Sequence, residues 1–291
     1  MAAGPRITAF FDEATNTVSY LVADPVTGEA AVIDPVLDFD PASGSVSTTS
    51  TERILAAADE QGLSITLVLE THPHADHLTA APLFKARTGA RVGIGAGIRE
   101  VQKAFGPMFA ADDLKRDGGD FDLLLEDGQR LALGKLEIEV MATPGHTPAC
   151  VSYKIGDAVF VGDTLFMPDY GTARCDFPGG CAHRLYQSIQ RILALPPETR
   201  LFMCHDYKAP GRDAFAWETS VGEQSAGNMH LRGGVSEDEY VAMRQARDAK
   251  LSMPKLLLPA IQVNIRAGRF PPPGADGVSY LKIPLTISQP A

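Results

Sequence analysis

One hexapeptide constrains this chain more than any other feature. His72-Pro73-His74-Ala75-Asp76-His77 places three of the seven histidines within six residues. It comes directly after residues 65–69, a short apolar run of the kind that forms a buried strand. Two more histidines stand in similar settings: His146 in Thr143-Pro144-Gly145-His146-Thr147, and His205 after the apolar run at residues 201–204. Asp163 closes another such run, Ala158-Val159-Phe160-Val161-Gly162-Asp163. Imidazole and carboxylate are the usual ligands of Zn, Fe and Mn. A rigid sheet whose strand ends meet can fix such groups around one point. Gly145 and Gly162, each just before a candidate ligand, allow the backbone a close approach or a sharp turn. A lone histidine is usually a satisfied core or polar residue, but five at strand ends are a ligand set.

The rest of the chain supplies the sheets that such a site needs. The first 36 residues read as β, with runs at 18–22 and 30–36 joined by the turn chemistry of Asp24-Pro25-Val26-Thr27-Gly28-Glu29. Residues 41–50 read as a polar loop. A helix capped by Ser50 or Thr51 runs to about Gln61, with Ile54, Leu55 and Ala58 on one face and Gly62 at its end. Further helices are predicted at 78–88 and 98–105 around a strand at 91–94, and residues 106–120 read as loop. Strands fill residues 121–166. Residues 184–195 carry Leu185, Ile189, Ile192 and Leu193 at helical spacing. Residues 236–250 form a capped helix, and the Pro-rich tail from Met253 reads as extended. Strands then helices, twice over, predict an α/β fold: an αββα four-layer sandwich of two mixed sheets flanked by helices. It is read as a single domain over residues 1–291, with a C-terminal helix and tail from about 236.

Composition narrows the functional classes. With 45% hydrophobic and 21% charged residues the chain is an ordinary globular protein, long enough to bury a core without staples. A net charge of -10 argues against binding nucleic acid or an anionic membrane, which need a basic face. No apolar run is long enough to span a bilayer, and the opening residues lack the pattern of a secretory leader. The four cysteines show no CxxC spacing, which fits a reduced, cytoplasmic setting. Cys175 and Cys181 fall in a polar loop, where a reactive thiol is an open reading. Gly93-x-Gly95-x-Gly97 lacks the dinucleotide-binding spacing and reads as structural.

In this order, His72-x-His74-x-Asp76-His77, Gly145-His146-Thr147, Gly162-Asp163 and His205 resemble the landmarks of the metallo-β-lactamase superfamily, over about residues 10–210. Further local matches are Gly162-Asp163-Thr164-Leu165-Phe166, Gly171-Thr172-Ala173-Arg174-Cys175-Asp176-Phe177, Gly180-Cys181-Ala182, Leu185-Tyr186-Gln187-Ser188-Ile189 and His205-Asp206-Tyr207. These are similar to the persulfide dioxygenase (sulfur dioxygenase) branch, in its bacterial β-lactamase-like hydrolase type. The resemblance implies a homodimer with one Fe(II) per subunit. It also implies oxidation of glutathione persulfide by O₂ to sulfite and glutathione, as in sulfide detoxification. The implied iron ligands are His72, His146 and Asp163, a 2-His-1-carboxylate face with open positions for sulfur and dioxygen. His74, Asp76, His77 and His205 match the positions that hold a second metal in hydrolytic relatives. In the dioxygenase branch the same positions lie around the site as outer or pocket residues.

Arg174 and Tyr207 match the positions that meet glutathione, although Arg174 is also placed to pair with Asp176 or Asp169. Where the family has Asn-Pro-Arg this chain reads Asn228-Met229-His230, which leaves the thiol carrier open and makes Arg232 a candidate replacement. His183 and His230 read as surface or capping residues. The alternative activity is that of a dinuclear hydrolase of the hydroxyacylglutathione thioesterase type, with Zn and a bridging Asp163. A third reading is a redox sensor acting through Cys175 or Cys181.

Overall fold

A computed structural model describes residues 4–285. The first half runs β1 (Arg6–Asp12), β2 (Thr17–Ala23), β3 (Glu29–Ile33), β4 (Val36–Asp40), β5 (Ser45–Ser47), α1 (Thr49–Glu60), β6 (Ser64–Leu69), β7 (Leu78–Thr79), α2 (Ala81–Thr88), β8 (Arg91–Gly95), α3 (Ile98–Phe105) and β9 (Leu123–Leu125). The second half runs β10 (Arg130–Leu133), β11 (Leu136–Ala142), β12 (Val151–Ile155), β13 (Ala158–Phe160), α4 (Ala182–Leu193), β14 (Arg200–Phe202), β15 (Glu218–Ser220), α5 (Val221–Gly227), α6 (Glu237–Asp248) and α7 (Leu257–Asn264). One six-stranded sheet has the order β1-β2-β3-β6-β8-β9 and the other β10-β11-β12-β13-β14-β15. Both mix antiparallel and parallel pairs, the parallel ones being β3–β6, β6–β8, β8–β9 and β13–β14.

Side-chain alternation explains the layers. Successive residues of a strand point to opposite faces, and every residue of β2 is buried because both of its faces are covered. Tyr20 and Val22 face the inter-sheet core with Leu67, Ile138, Tyr153 and Phe160. Leu21 and Ala23 face the other way, toward Ile54, Phe84, Ile98 and Ile261 on the helices. The second sheet has its own outer layer, in which Val159 and Leu201 pack with Leu185, Ile189 and Tyr240. The αββα sandwich is as predicted. Two buried tyrosines tie the sheets together near the histidines: Tyr20 donates to the Met203 carbonyl at 2.5 Å, and Tyr153 to the Glu70 carbonyl at 2.7 Å.

The structure corrects four local expectations. The polar stretch 41–50 contains β5, which pairs with β4. Ser50 does not cap α1, because its hydroxyl donates to Asp38 at 2.6 Å; Thr48 holds the cap position. The helix read as starting at Leu78 starts at Ala81, since Leu78 and Thr79 pair with β4 and Pro82 suits a first helical turn. The tail from Met253 is not simply extended: it contains α7. Pro259 falls in the first turn of α7, where its missing N–H breaks no helical bond.

Candidate metal centre

Every candidate ligand leaves the end of a strand. His72, His74, Asp76 and His77 follow β6, and His146 lies between β11 and β12. Asp163 sits in a 3₁₀ turn, Gly162–Thr164, after β13, and His205 follows β14. Two glycines make the convergence possible. Gly145 has φ 148°, and a Cβ there would collide with the backbone of Leu185. Gly162 has φ 52°, and a Cβ there would lie 2.7 Å from the Thr71 side chain. A larger residue at either position would push a ligand loop away from the sheet.

His72, His146 and Asp163 come together as predicted. Their nearest ligand atoms all lie within 4.8 Å of one another. Asp163 Oδ2 is 4.0 Å from His72 Nε2 and 3.7 Å from His146 Nε2. Each ring is oriented from behind. His146 Nδ1 donates to the Arg174 carbonyl at 2.7 Å, and His72 Nδ1 lies 3.0 Å from the Thr71 hydroxyl. Such outer bonds fix the tautomer and aim the second nitrogen inward. Burial, reinforced by His74 and His146, pushes the His72 pKa well below the ordinary histidine value. His72 is thus neutral and available as a donor.

The remaining four residues form a second group beside the first. The ligand atoms of His74, Asp76 and His77 likewise lie within 4.8 Å of one another. His205 Nε2 lies 3.6 Å from Asp76 Oδ2 and 3.4 Å from Asp163 Oδ1. His74 is held from behind by carboxylates, with Nε2 3.0 Å from Asp34 and 3.5 Å from Glu70. Burial opposes a charge on this ring, but Asp34 and Glu70 outweigh it and raise its pKa well above the ordinary value. The Thr17 hydroxyl lies within 3.4 Å of Asp76 Oδ2, His77 Nδ1 and His205 Nδ1.

Four buried atoms in this cluster have no hydrogen-bond partner: His74 Nδ1, His77 Nε2, His205 Nε2 and Asp163 Oδ1. Buried polar atoms are rarely left so. Imidazole nitrogens and a carboxylate oxygen of this kind suit a cation, and they belong to groups whose ligand atoms lie within 4.8 Å of one another, so the donor set fits a metal.

A cavity of about 620 Å³ opens beside the triad. His146, Asp163 and Asp76 line its floor, and Phe166, Tyr170, Phe177 and Tyr207 its walls. Both predicted substrate residues reach it. Arg174 is also committed to Asp176 through two contacts of 2.6 Å and to the Ser252 carbonyl at 2.8 Å. Asp169 is not its partner, being paired with Arg212. Tyr207 stacks on the His205 ring at 5.6 Å and is 38% exposed.

Other expectations need correction. Arg232 is exposed and does not line the cavity; Arg244, Arg247 and Lys255 do. His230 is buried, not a surface residue, and its Nδ1 accepts from the Thr172 N–H at 3.0 Å. Burial, then Arg247 and Arg244, push its pKa down to about 4. His183 is exposed and meets Glu237, as a surface residue would. Cys175 is buried, and burial followed by the nearby Asp248 carboxylate pushes its thiol up to about 12, which removes it as a reactive thiolate.

Sequence reasoning missed the residues behind the ligands. Asp34 receives the Thr71 N–H at 2.7 Å as well as His74. It ends the apolar run of β3, the same setting that singled out Asp163, so that signal was present. Asn264, on the unforeseen α7, donates at 2.8 Å to the carbonyls of both His74 and His77. No local pattern marks it.

A sequence profile of the metallo-beta-lactamase superfamily matches residues 13–205, the stretch that holds every candidate ligand. A protein named as a probable metallo-hydrolase from Burkholderia pseudomallei is 53% identical, over 96% of this chain and 98% of its own length. Glyoxylase B2 of Dictyostelium discoideum is 44% identical over 96% of this chain and 97% of its own. The mitochondrial persulfide dioxygenase ETHE1 of Homo sapiens is 30% identical over 89% of this chain and 87% of its own. The crystal structure of ETHE1 from Myxococcus xanthus superposes with a TM-score of 0.73 at 32% identity, covering 91% of this chain and all of that one. With that match over most of its length and the landmarks converging in the fold, this chain belongs to the metallo-beta-lactamase superfamily, and persulfide dioxygenases are among its homologues.

Proposed function

We propose that this protein is a mononuclear non-haem Fe(II) dioxygenase that converts glutathione persulfide, O₂ and water to glutathione and sulfite. The observation that carries the reading is which half of the cluster meets the cavity. His146 and Asp163 line it, joined from the other group by Asp76 alone; His74 is fully buried and His205 lies under the rings of Tyr207 and Phe166. His77 opens on a separate cleft of about 240 Å³. The likeness to persulfide dioxygenases supports the same reading.

His72, His146 and Asp163 would hold the iron. Bound there, Fe(II) supplies one-electron chemistry toward O₂ and open positions for a sulfur ligand. The chain's own contribution is placement and charge. The Asp163 carboxylate offsets the metal's charge, and the Arg174 carbonyl keeps His146 in the ligating tautomer. Phe166 and Phe177 exclude water from the cavity wall, and Tyr207 and Arg174 border the space for the thiol carrier.

The alternative is a dinuclear hydrolase of the hydroxyacylglutathione thioesterase type. The unpartnered nitrogens of His74, His77 and His205 favour it, because a second ion would satisfy them. The test is elemental analysis of anaerobically purified protein, paired with O₂ uptake on adding glutathione persulfide. About one Fe per chain with rapid uptake supports the dioxygenase. Two Zn or mixed metals, no uptake, and turnover of a glutathione thioester would overturn it in favour of the hydrolase.

A further inference from the structure

The cavity carries a charge pattern that the metal site does not use. The chain has a net charge of -10, yet the cavity wall is cationic. Its lining includes Arg174, Arg244, Arg247 and Lys255, against two carboxylates, Asp76 and Asp163, both of them candidate ligands. Two of the cations are already neutralised: Arg174 by Asp176 and Arg244 by Asp248, each at 2.6 Å. Arg247 and Lys255 make no ion pair and no side-chain hydrogen bond among the described residues, although both line the cavity.

Arg247 is exposed, but the helix that carries it is anchored. It stands in the last turn of α6, whose buried face is tied to the cavity wall. Tyr240 meets the Thr172 hydroxyl at 2.8 Å, Arg244 donates to the Thr172 carbonyl at 3.0 Å, and Asp248 accepts the Cys175 N–H at 3.0 Å. The placement of α6 is thereby fixed relative to Arg174 and the triad. A helix C-terminus alone favours a cation, which would account for Arg247. It does not account for Lys255, which lies outside any helix, between α6 and α7, and lines the same cavity.

We infer that Arg247 and Lys255 are a carboxylate-binding wall that makes the protein select a thiol carrier bearing free carboxylates over an esterified or neutral one. The substrate class rests on the persulfide reading above, but the recognition of anions does not. A guanidinium offers a planar fork that fits a carboxylate, and an ammonium a compact point charge. Unpaired cations on a concave wall also raise the local concentration of an anion.

The test uses metal-loaded full-length protein and S-methylglutathione, which binds without offering a persulfide to oxidise. Calorimetry compares it with its diethyl ester, for the parent, Arg247→Gln, Lys255→Gln and the double variant. The parent is expected to prefer the diacid. Each substitution should weaken diacid binding up to about fivefold and the double variant about tenfold, with the preference shrinking as salt rises. Both positions are at the surface, and a thermal melt checks that the variants remain folded. A parent without preference, or a double variant that keeps it, overturns the inference. Persulfide-dependent O₂ uptake is read separately. No uptake with the acid preference intact sinks the reaction and leaves the wall standing; uptake with the preference unchanged in the double variant does the reverse.

Discussion

His72 and His74 lie on the same loop, with ring centroids 4.0 Å apart and both side chains buried. Their protons nonetheless behave in opposite ways. Burial lowers the His72 pKa, and its neighbours His74 and His146 add to the effect. Burial acts on His74 in the same sense, but Asp34 and Glu70 reverse it. Residue type and exposure are the same for the two; what differs is the group behind each ring. A hydroxyl stands behind His72 and two carboxylates behind His74. The same contrast divides the whole cluster. The triad is assembled from three separate strand ends, and its His146 and Asp163 face the large cavity, whereas His74, Asp76 and His77 come from one short loop, and of these three only Asp76 reaches that cavity.

The largest expected effect breaks the comparison directly. Asp163→Asn or His146→Ala should strip the metal and lower persulfide-dependent O₂ uptake at least about a hundredfold. His77→Ala or His205→Ala should cost about tenfold at most and leave one metal per chain. If elemental analysis instead shows two metals falling to one in His77→Ala, the halves are equivalent partners and the mononuclear reading fails.

Next in size is Asp34→Asn. It removes the charge that faces His74 and weakens the bonds to Thr71. Breaking a buried pair of this kind costs about 3–5 kcal/mol, read as a drop of roughly 10 °C in Tm. A drop under about 1 kcal/mol would mean that Asp34 does not hold His74 in place.

Asn264→Ala should cost less, about 2–3 kcal/mol, for the loss of two donated bonds and one accepted from the Thr79 N–H. Its signature is selective: both carbonyls belong to residues of the second group, so the altered loop should still leave a metal on the triad. Loss of all metal would show that α7 braces both halves alike.

The smallest effect concerns His230, a third buried histidine environment. Its pKa lies at about 4, below the ordinary 6.5. On acidification the unfolded chain therefore takes up the proton first. The stability held by neutral His230 is complete above about pH 6.5 and is lost as pH falls toward 4. Melting curves across that window should show a shallower decline for His230→Gln than for the parent. Equal slopes would show that His230 does not stay neutral in the fold.

The sandwich and the triad were legible because their signals are local. The helix over Ile98–Phe105 appears where its apolar spacing placed it. His72, His146, Asp163 and His205 each carry their evidence in the few residues before them: an apolar run, a glycine, a turn. Periodicity failed where pairing overrode it, as at Leu78 and Thr79, which join a strand. It failed again at α7, which lies in the Pro-rich tail that read as extended.

By itself the sequence determined which side chains would converge, because strand ends of two packed sheets have few places to go. It did not determine what stands behind them. Asp34 lies 40 residues from His74, Asn264 lies 190 residues from it, and Arg247 reaches the cavity only because α6 docks on the loop around Thr172. The free nitrogen of a ring, its proton and the charge of the wall depend on atoms brought together by chain closure. Hydrogen bonds and ion pairs act over a few ångströms in space, however far apart their partners lie along the chain.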